Sequence, residues 1–244
     1  MKLLIGQDVD EFSTIGGRIV GDYIRENPGK LLCFAAGDTP LGIYKELIQM
    51  QKRGEVDLST MYYVGLDEWV GIGIETKGSC AQVMEDNFYG PAGIDGSRVR
   101  TFDGLSKDLE RECQEISQWI EKRGKIALTL LGIGMNGHLG FNEPFVNPEK
   151  ETLIVELDQV TAEVGKKYFQ DTTVPKRGIT VGIKALREAR EVILVACGSK
   201  KGGILRKTLV DAPSIKVPSS LMQDHERLTI VIDKEAFQGM WGEE

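Results

Sequence analysis

The stretch from residue 131 to residue 144, LGIGMNGHLGFNEP, combines residue types that could carry out acid–base chemistry. It contains His138, one of the two histidines in the chain, whose imidazole can take and give a proton near neutral pH. Glu143 follows closely enough to reach round and orient that imidazole, and Asn136 can add a neutral hydrogen bond. The four glycines allow sharp turns around the ring. The stretch therefore predicts a base with an orienting carboxylate, as catalytic triads use, in preference to a glycine-rich connection with an incidental histidine.

An anion site is predicted by the loop AAGDTP at residues 35–40, which lies between an apolar run and an amphipathic stretch. Gly37, Asp38 and Thr39 form a short loop before a helix, where free backbone N–H groups and the helix dipole favour a negative charge. An ordinary capped turn is the alternative, since Asp or Thr can cap a helix and proline suits its first position. No Walker phosphate-binding signature is present to decide between the two.

Charged side chains follow two further apolar runs. Asp67 and Glu68 come directly after MYYVGL, and adjacent carboxylates point in different directions. One of them can therefore enter a cleft as a general base while the other pairs elsewhere. Lys201 lies in the stretch GSKK after the run VILVA, from where it can reach an anion at the mouth of a cleft. Solvated side chains on surface turns are the alternative at both places.

Apolar runs that alternate with amphipathic stretches predict the elements that carry these loops. The predicted strands are 31–36, 61–66, 98–102, 126–131, 152–157, 178–182, 192–196 and 228–232, and the predicted helices are 41–53, 79–89, 106–122, 161–169 and 200–210. Continuous apolar character suits strands that are buried on both faces. The alternation predicts an α/β fold with an open, mainly parallel sheet and helices on both faces.

The four loops should meet at one edge of this sheet, because in such folds ligands bind outside the carboxyl ends of the strands. No linker, low-complexity tract or repeat interrupts the chain, so we expect residues 1–244 to form a single domain. An anion cradle, a carboxylate, a histidine–glutamate pair and a lysine would then share one site. Their convergence favours a function over the separate structural explanations of each loop.

The composition narrows the class of partner. A formal net charge of −7 argues against a nucleic-acid-binding protein, although local lysines and backbone amides can still hold an anionic small molecule. No apolar run reaches the length of a membrane span, about 18 residues, and the N-terminal apolar run is too short for a signal peptide. Four scattered cysteines without a C-x-x-C pair suit reduced thiols. We therefore expect a cytoplasmic protein that acts on a small molecule and binds neither nucleic acid nor membrane; the sequence leaves open whether it forms a homo-oligomer.

The order and spacing of the loops AAGDTP, GLDEW, GIGMNGHLGFNEP, RGITVGI and GSKK resemble the glucosamine-6-phosphate deaminase (isomerase) family. Three segments resemble the galactosamine-6-phosphate isomerase branch of this family more closely still: GLDEWVGI, KRGITVGIKALREAREV and VPSSL. The resemblance implies a Rossmann-like, doubly wound α/β fold and a reaction without metal or cofactor. In that reaction the ring of a hexosamine 6-phosphate opens, the aldose becomes a ketose, and the amine leaves as ammonia. The product is fructose 6-phosphate from glucosamine or tagatose 6-phosphate from galactosamine.

The resemblance also implies roles for individual residues. Asp67 takes the role of the base that moves the proton on C2, which suits a positioned carboxylate beside a carbonyl or imine. His138 opens the sugar ring as an acid–base catalyst, and Glu143 orients or assists it. The positions that bind the phosphate are Gly37, Asp38, Thr39 and Lys201.

Two positions depart from the family pattern. The best-known members have Asp where this chain has Asn136, so a buried charge is absent and the pH profile is expected to differ. The phosphate-binding arginine of the family's lid has Lys167 as its nearest match. A lysine offers a point charge where an arginine offers a planar fork.

Two other functions remain open at this point. The 6-phosphogluconolactonases share the fold and the phosphate site, but they usually read G-H-x-A-S-L-F-P where this chain reads GHLGFNEP. A noncatalytic sugar-phosphate-binding protein is an alternative from another class, and the presence of Asp67, His138 and Glu143 together counts against it. The sequence does not distinguish the gluco from the galacto substrate, because recognition at C4 depends on lid and pocket residues whose geometry the sequence does not give.

Overall fold

The structure is a computed structural model that describes residues 1–169 and 175–242. In these ranges the strands are β1 (Lys2–Gly6), β2 (Leu31–Phe34), β3 (Tyr62–Gly65), β4 (Asp67–Trp69), β5 (Val99–Arg100), β6 (Ile126–Gly132), β7 (Thr152–Glu156), β8 (Arg177–Val181), β9 (Glu191–Ala196) and β10 (Leu228–Asp233). The α-helices are α1 (Val9–Glu26), α2 (Leu41–Lys52), α3 (Cys80–Met84), α4 (Leu109–Lys122), α5 (Gln159–Gly165), α6 (Ile183–Arg187), α7 (Gly202–Leu209) and α8 (Lys234–Gly239). Short 3-10 helices lie at Leu58–Thr60, Gly96–Arg98, Lys166–Tyr168, Ser199–Lys201 and Pro218–Met222, and a π-helical turn at Glu85–Tyr89 continues α3. Across the described ranges, each helix is too short or too polar to cross a membrane.

Seven strands form a central sheet in the order β1-β10-β9-β6-β2-β3-β5, and every neighbouring pair is parallel. Alternate side chains of β2 enter different cores: Leu31 and Cys33 join one, whereas Leu32 and Phe34 join the other. Helices α4, α6, α7 and α8 cover the first core, and α1 and α2 cover the second. The predicted α/β fold, a mainly parallel sheet with helices on both faces, is therefore confirmed.

A second, three-stranded antiparallel sheet has the order β4-β8-β7 and was not predicted as a separate sheet. The strands predicted at 152–157 and 178–182 belong to it, and Asp67, expected in a loop, begins β4 and pairs with Thr180 of β8. The prediction was wrong here because β4 has only three residues and its partner strand β8 lies far along the chain, so no local sequence pattern indicates the strand β4.

The helix α1 and the strand β1 were also not predicted. Helix α1 interrupts its apolar face with Gly16, Gly17 and Gly21, which weakens the helical pattern. The glycines are required by packing, because a Cβ at Gly16 would lie 2.5 Å from the side chain of Ile43 on α2. Strand β1 lies at the edge of the sheet and pairs with β10 from the other end of the chain.

Two adjacent glycines at the start of α7 offer a test of this packing. A Cβ at Gly202 would lie 2.0 Å from the backbone of Gly239 in α8, whereas a Cβ at Gly203 would meet open space. We expect Gly202→Ala to lower the free energy of unfolding by about 1–3 kcal/mol, as overpacking does. Gly203→Ala should leave it unchanged or raise it by up to about 1 kcal/mol, because alanine favours helix. Urea unfolding of both variants checks this, and equal effects would contradict the close contact of α7 with α8.

Candidate active site

A cavity of about 320 Å³ opens at the carboxyl ends of β9, β6, β2 and β3, which are neighbours in the central sheet. Each of the four predicted loops contributes to its wall, with the residues Gly37, Asp38, Thr39, Asp67, His138 and Lys201. Lys167 also lines it, from the segment that follows α5. The expected convergence of the loops is therefore observed. Within the described part of the chain, no three His, Cys, Asp or Glu side chains are grouped as a metal ion would require.

The two adjacent carboxylates of β4 point in opposite directions, as the alternation of a strand requires. Glu68 is buried and accepts hydrogen bonds from the backbone N–H groups of Trp69, Cys80 and Ala81 and from the hydroxyl of Ser79, at 2.7–3.0 Å. Asp67 faces the cavity instead. One carboxylate thus joins β4 to α3, and the other remains available for chemistry.

The environment of Asp67 favours its neutral form. Burial raises the pKa of Asp67 to about 7, and the charge of Glu68 acts in the same direction, whereas a hydrogen bond with the thiol of Cys80 opposes the shift. A carboxyl group with a pKa near the working pH is suited to general base catalysis, because it can both accept and return a proton.

His138 is held by the tight turns of its loop. Its Nε2 lies over the backbone of Gly134, where a Cβ would be only 2.2 Å away, and Gly137 adopts a φ of +87° that favours glycine. Its Nδ1 lies 3.0 Å from the hydroxyl of Thr161 on α5. Glu143 Oε2 lies 3.6 Å from the same Nδ1. Glu143 is therefore beside the imidazole as expected, but a threonine makes the hydrogen bond.

Asn136 contacts the carboxylate of Glu143 and the backbone of His138, not the imidazole ring. Its Nδ2 donates a hydrogen bond of 2.8 Å to Glu143, and its Oδ1 accepts one of 3.2 Å from the backbone N–H of His138. Burial would raise the pKa of Glu143, but the interactions with His138, Thr161 and Asn136 hold that pKa below its ordinary value. Glu143 is thus kept ionised inside the protein.

Another part of the cavity wall has the features of an anion site. Gly37 has a φ of +100°, and no side chain caps the start of α2, so the alternative of a capped turn is wrong. Lys201 donates a hydrogen bond to the carbonyl of Ile133, and burial, followed by the charge of Lys167, lowers its pKa. A helix N-terminus beside two lysines suits a phosphate.

Asp38 is the one acidic side chain among the predicted phosphate-binding residues, and its carboxylate lies 2.6 Å from Lys167 Nζ. Burial acts against the charge of Lys167, but the hydrogen bond with Asp38 raises the pKa of that lysine overall. The carboxylate of Asp38 can only accept hydrogen bonds, so its backbone N–H is the group that suits a phosphate.

Three cavity residues with a hydroxyl or thiol group were not predicted from the sequence as part of the site: Cys80, Thr161 and Tyr168. Thr161 is the first residue of the helix predicted at 161–169, and Cys80 was grouped with the scattered thiols. Tyr168 lies on the segment beside Lys167. None belongs to a recognisable motif, because each reaches the cavity through packing between elements that are distant in sequence.

The family model described as glucosamine-6-phosphate isomerases/6-phosphogluconolactonase matches residues 18–231, and the chain belongs to this family. It is 38% identical to a glucosamine-6-phosphate deaminase of Thermoanaerobacter sp. (strain X514) over 237 residues, which cover 97% of this chain and 94% of that relative. It is 37% identical to the enzyme of that name from Halothermothrix orenii, with 97% and 98% of the two chains covered. The resemblance found in the loops therefore extends over almost the whole chain.

Comparison with solved structures gives the same family for this chain. A monomeric glucosamine-6-phosphate deaminase superposes with a TM-score of 0.94 at 33% identity, covering 98% of this chain and 99% of the other. The 6-phosphogluconolactonase of Trypanosoma brucei superposes with a TM-score of 0.75 at 18% identity, covering 98% of each chain, and shows the shared fold alone. The predicted family and Rossmann-like fold are confirmed.

Gly134 offers a test of how the imidazole is held. Gly134→Ala should displace the ring of His138, since the new Cβ would overlap Nε2. A displacement of about 1 Å can cost roughly 100-fold in rate, so we expect a loss of that order in turnover of hexosamine 6-phosphate. Gly96→Ala, at a remote glycine whose added Cβ meets open space, serves as the control and should keep the original rate. Equal rates for the two variants would contradict the close contact.

Proposed function

We propose that this chain converts a hexosamine 6-phosphate to a ketohexose 6-phosphate and ammonia, by aldose–ketose isomerisation followed by deamination. One observation carries the proposal: the carboxyl group of Asp67 and the imidazole of His138 line the same cavity as a helix N-terminus with two lysines. Membership of the family and the likeness to deaminases over almost the whole chain support it.

In the first step, Nε2 of His138 takes the proton of the hydroxyl on C1, and the C1–O5 bond breaks. The ring oxygen receives a proton in return, so an open-chain 2-amino aldose forms without net change of atoms. Glu143, ionised and close to Nδ1, stabilises the imidazolium that exists during the transfer. Histidine is suited to both directions of transfer at neutral pH.

In the second step, Asp67 removes the proton from C2, and the electron pair forms the C1=C2 double bond. The carbonyl electrons move to O1, which takes a proton from the ammonium group on C2, so an enolamine results. Return of a proton to C1 gives a ketose imine, and water adds to C2 as ammonia leaves. A carboxylate whose conjugate acid has a pKa of about 7 is a stronger base than an ordinary aspartate and is still partly ionised near neutral pH. The sequence of steps consumes one water and releases one ammonia.

We propose that the phosphate lies at the start of α2, against the backbone of Gly37, Asp38 and Thr39, with Lys201 and Lys167 as cations. These groups lie on the cavity wall together with Asp67 and His138. Anchoring the phosphate fixes the sugar relative to both catalytic groups, which lowers the entropic cost of reaching the reactive geometry.

Ammonia release decides the function. The purified protein should release ammonia from glucosamine 6-phosphate, galactosamine 6-phosphate or both, measured by a coupled dehydrogenase assay. The relative rates with the two sugars show which C4 configuration the protein prefers in its substrate. The names of the relatives favour the gluco substrate, whereas the segments that resemble the galactosamine-6-phosphate isomerase branch favour the galacto substrate. Hydrolysis of 6-phosphogluconolactone alone would establish the lactonase function. Binding of sugar phosphates without turnover would establish a noncatalytic binder.

Asp67→Asn tests the base. We expect turnover to fall at least about 100-fold while binding of the sugar phosphate persists, because the amide keeps the shape and loses the proton acceptor. In the unchanged protein, kcat/KM should fall as the pH drops below about 7, where Asp67 becomes protonated. An unchanged rate in the variant would remove Asp67 from this role.

The same variant has an expected effect on stability. A pKa that is higher in the folded state than the ordinary 3.8 means that Asp67 contributes stability that is lost as the pH rises toward 7. Asp67→Asn should therefore unfold at a higher temperature than the original protein at about pH 8 and show less gain at about pH 4. A loss of stability at the higher pH would contradict the burial of this charge.

Asp38→Asn tests the anion site. Removing this carboxylate takes a negative charge from beside the phosphate and frees Lys167, so KM should fall by roughly threefold to tenfold with kcat nearly unchanged. Lys167→Met should raise KM instead. An increase of KM in Asp38→Asn would show that the ion pair serves to hold Lys167 in position.

A further inference from the structure

We propose that Thr161 is a positioning residue that holds His138 in the form with a proton on Nδ1, so that Nε2 is the free proton acceptor. Thr161 lies on α5, outside the glycine-rich loop, and is buried. Its use in ring opening rests on the proposed function, whereas the protonation of the imidazole is a property of the protein without substrate. The two claims can therefore be tested separately.

The contact at Nδ1 allows two arrangements. The hydroxyl of Thr161 lies 3.0 Å from Nδ1 and can either donate its proton to this nitrogen or accept a proton from it. In the first arrangement Nε2 carries the proton of a neutral imidazole, and in the second it carries a lone pair. Only the second leaves Nε2 of His138 able to take a proton.

Glu143 selects the second arrangement. Its Oε2 lies 3.6 Å from Nδ1, and Asn136 donates a hydrogen bond to the same oxygen, which requires the carboxylate to remain an acceptor. A lone pair on Nδ1 would face this negative charge and be repelled, whereas an N–H group on Nδ1 is attracted. The hydroxyl of Thr161 then accepts from Nδ1.

The charge of Glu143 also favours this orientation of the Thr161 hydroxyl. Attraction between the carboxylate and the hydroxyl proton draws that proton away from Nδ1, which leaves an oxygen lone pair for the Nδ1–H group. The distance of 3.6 Å between Glu143 Oε2 and Nδ1 is too long for a direct hydrogen bond, so Thr161 is the side chain that accepts from the imidazole.

The position of α5 determines whether this connection forms. A Cβ at Gly165, on the same helix, would lie 2.7 Å from the ring of Trp69, so α5 packs closely against the last residue of β4. Trp69 is two residues from Asp67 on that strand. The packing therefore fixes Thr161 relative to both proposed catalytic groups.

The two histidines of the chain make the proposal measurable by NMR on the ligand-free protein. The Nε2 of His225 lies 2.8 Å from the carbonyl of Ala189, and its Nδ1 accepts from the backbone N–H of Arg227, so His225 must carry its proton on Nε2. Long-range 1H–15N spectra at about pH 8, where a typical His is neutral, should show the proton on Nδ1 of His138 and on Nε2 of His225. A proton on Nε2 of both rings would overturn the proposal.

Thr161→Val and Thr161→Ser provide the matched variants. Valine keeps the shape without the hydroxyl, so the preference of His138 for the Nδ1 proton should weaken, because only the more distant carboxylate of Glu143 remains to favour it, and kcat should fall roughly tenfold with KM within about twofold. Serine should restore both. An unchanged spectrum and unchanged kcat in Thr161→Val would overturn the proposal, and if the valine variant does not fold, the spectrum of the unchanged protein decides. A Nδ1 proton on His138 in a protein that releases no ammonia would uphold the positioning and contradict the proposed function.

Discussion

Parallel pairing of all seven strands in the central sheet is the constraint on which the site depends. It brings the carboxyl ends of β9, β6, β2 and β3 side by side, although their loops lie as far apart in sequence as residues 37 and 201. The proposed acid–base groups and the proposed phosphate site therefore share one cavity because of the topology. The short antiparallel sheet contributes the strand β4 to this edge of the central sheet, and β4 places Asp67 in the cavity wall.

Within that frame, the buried carboxylate of Glu68 determines how β4 is placed. Four donors from β4 and the start of α3 satisfy it, and a one-residue shift of the strand would exchange it with Asp67. Such a shift would leave those four donors without their buried acceptor, which is costly. The same charge raises the pKa of its neighbour, so Glu68 both orients the proposed base and adjusts its acidity.

Much of this site could be predicted from the sequence, because its residues follow strands with strong apolar patterns. His138, Glu143 and the loop at residues 37–39 were found in this way. Thr161 and the strand β4 could not be, since both depend on contacts between elements distant in the chain, and neither a three-residue strand nor a single threonine leaves a periodic pattern. Lys167 was found only as the nearest match to a family position, and its pairing with Asp38 required the structure.

The proposed role of Asp67 is to move the proton on C2 of a hexosamine 6-phosphate. The most direct test of this role uses 13C NMR to follow the conversion of glucosamine 6-phosphate and galactosamine 6-phosphate that carry a 13C label at C2. We expect the signal of the amine-bearing carbon to be replaced by that of a ketose C2 with the unchanged protein, and to persist with Asp67→Asn. Persistence of the amine-bearing carbon with the unchanged protein, for both sugars, would contradict the account.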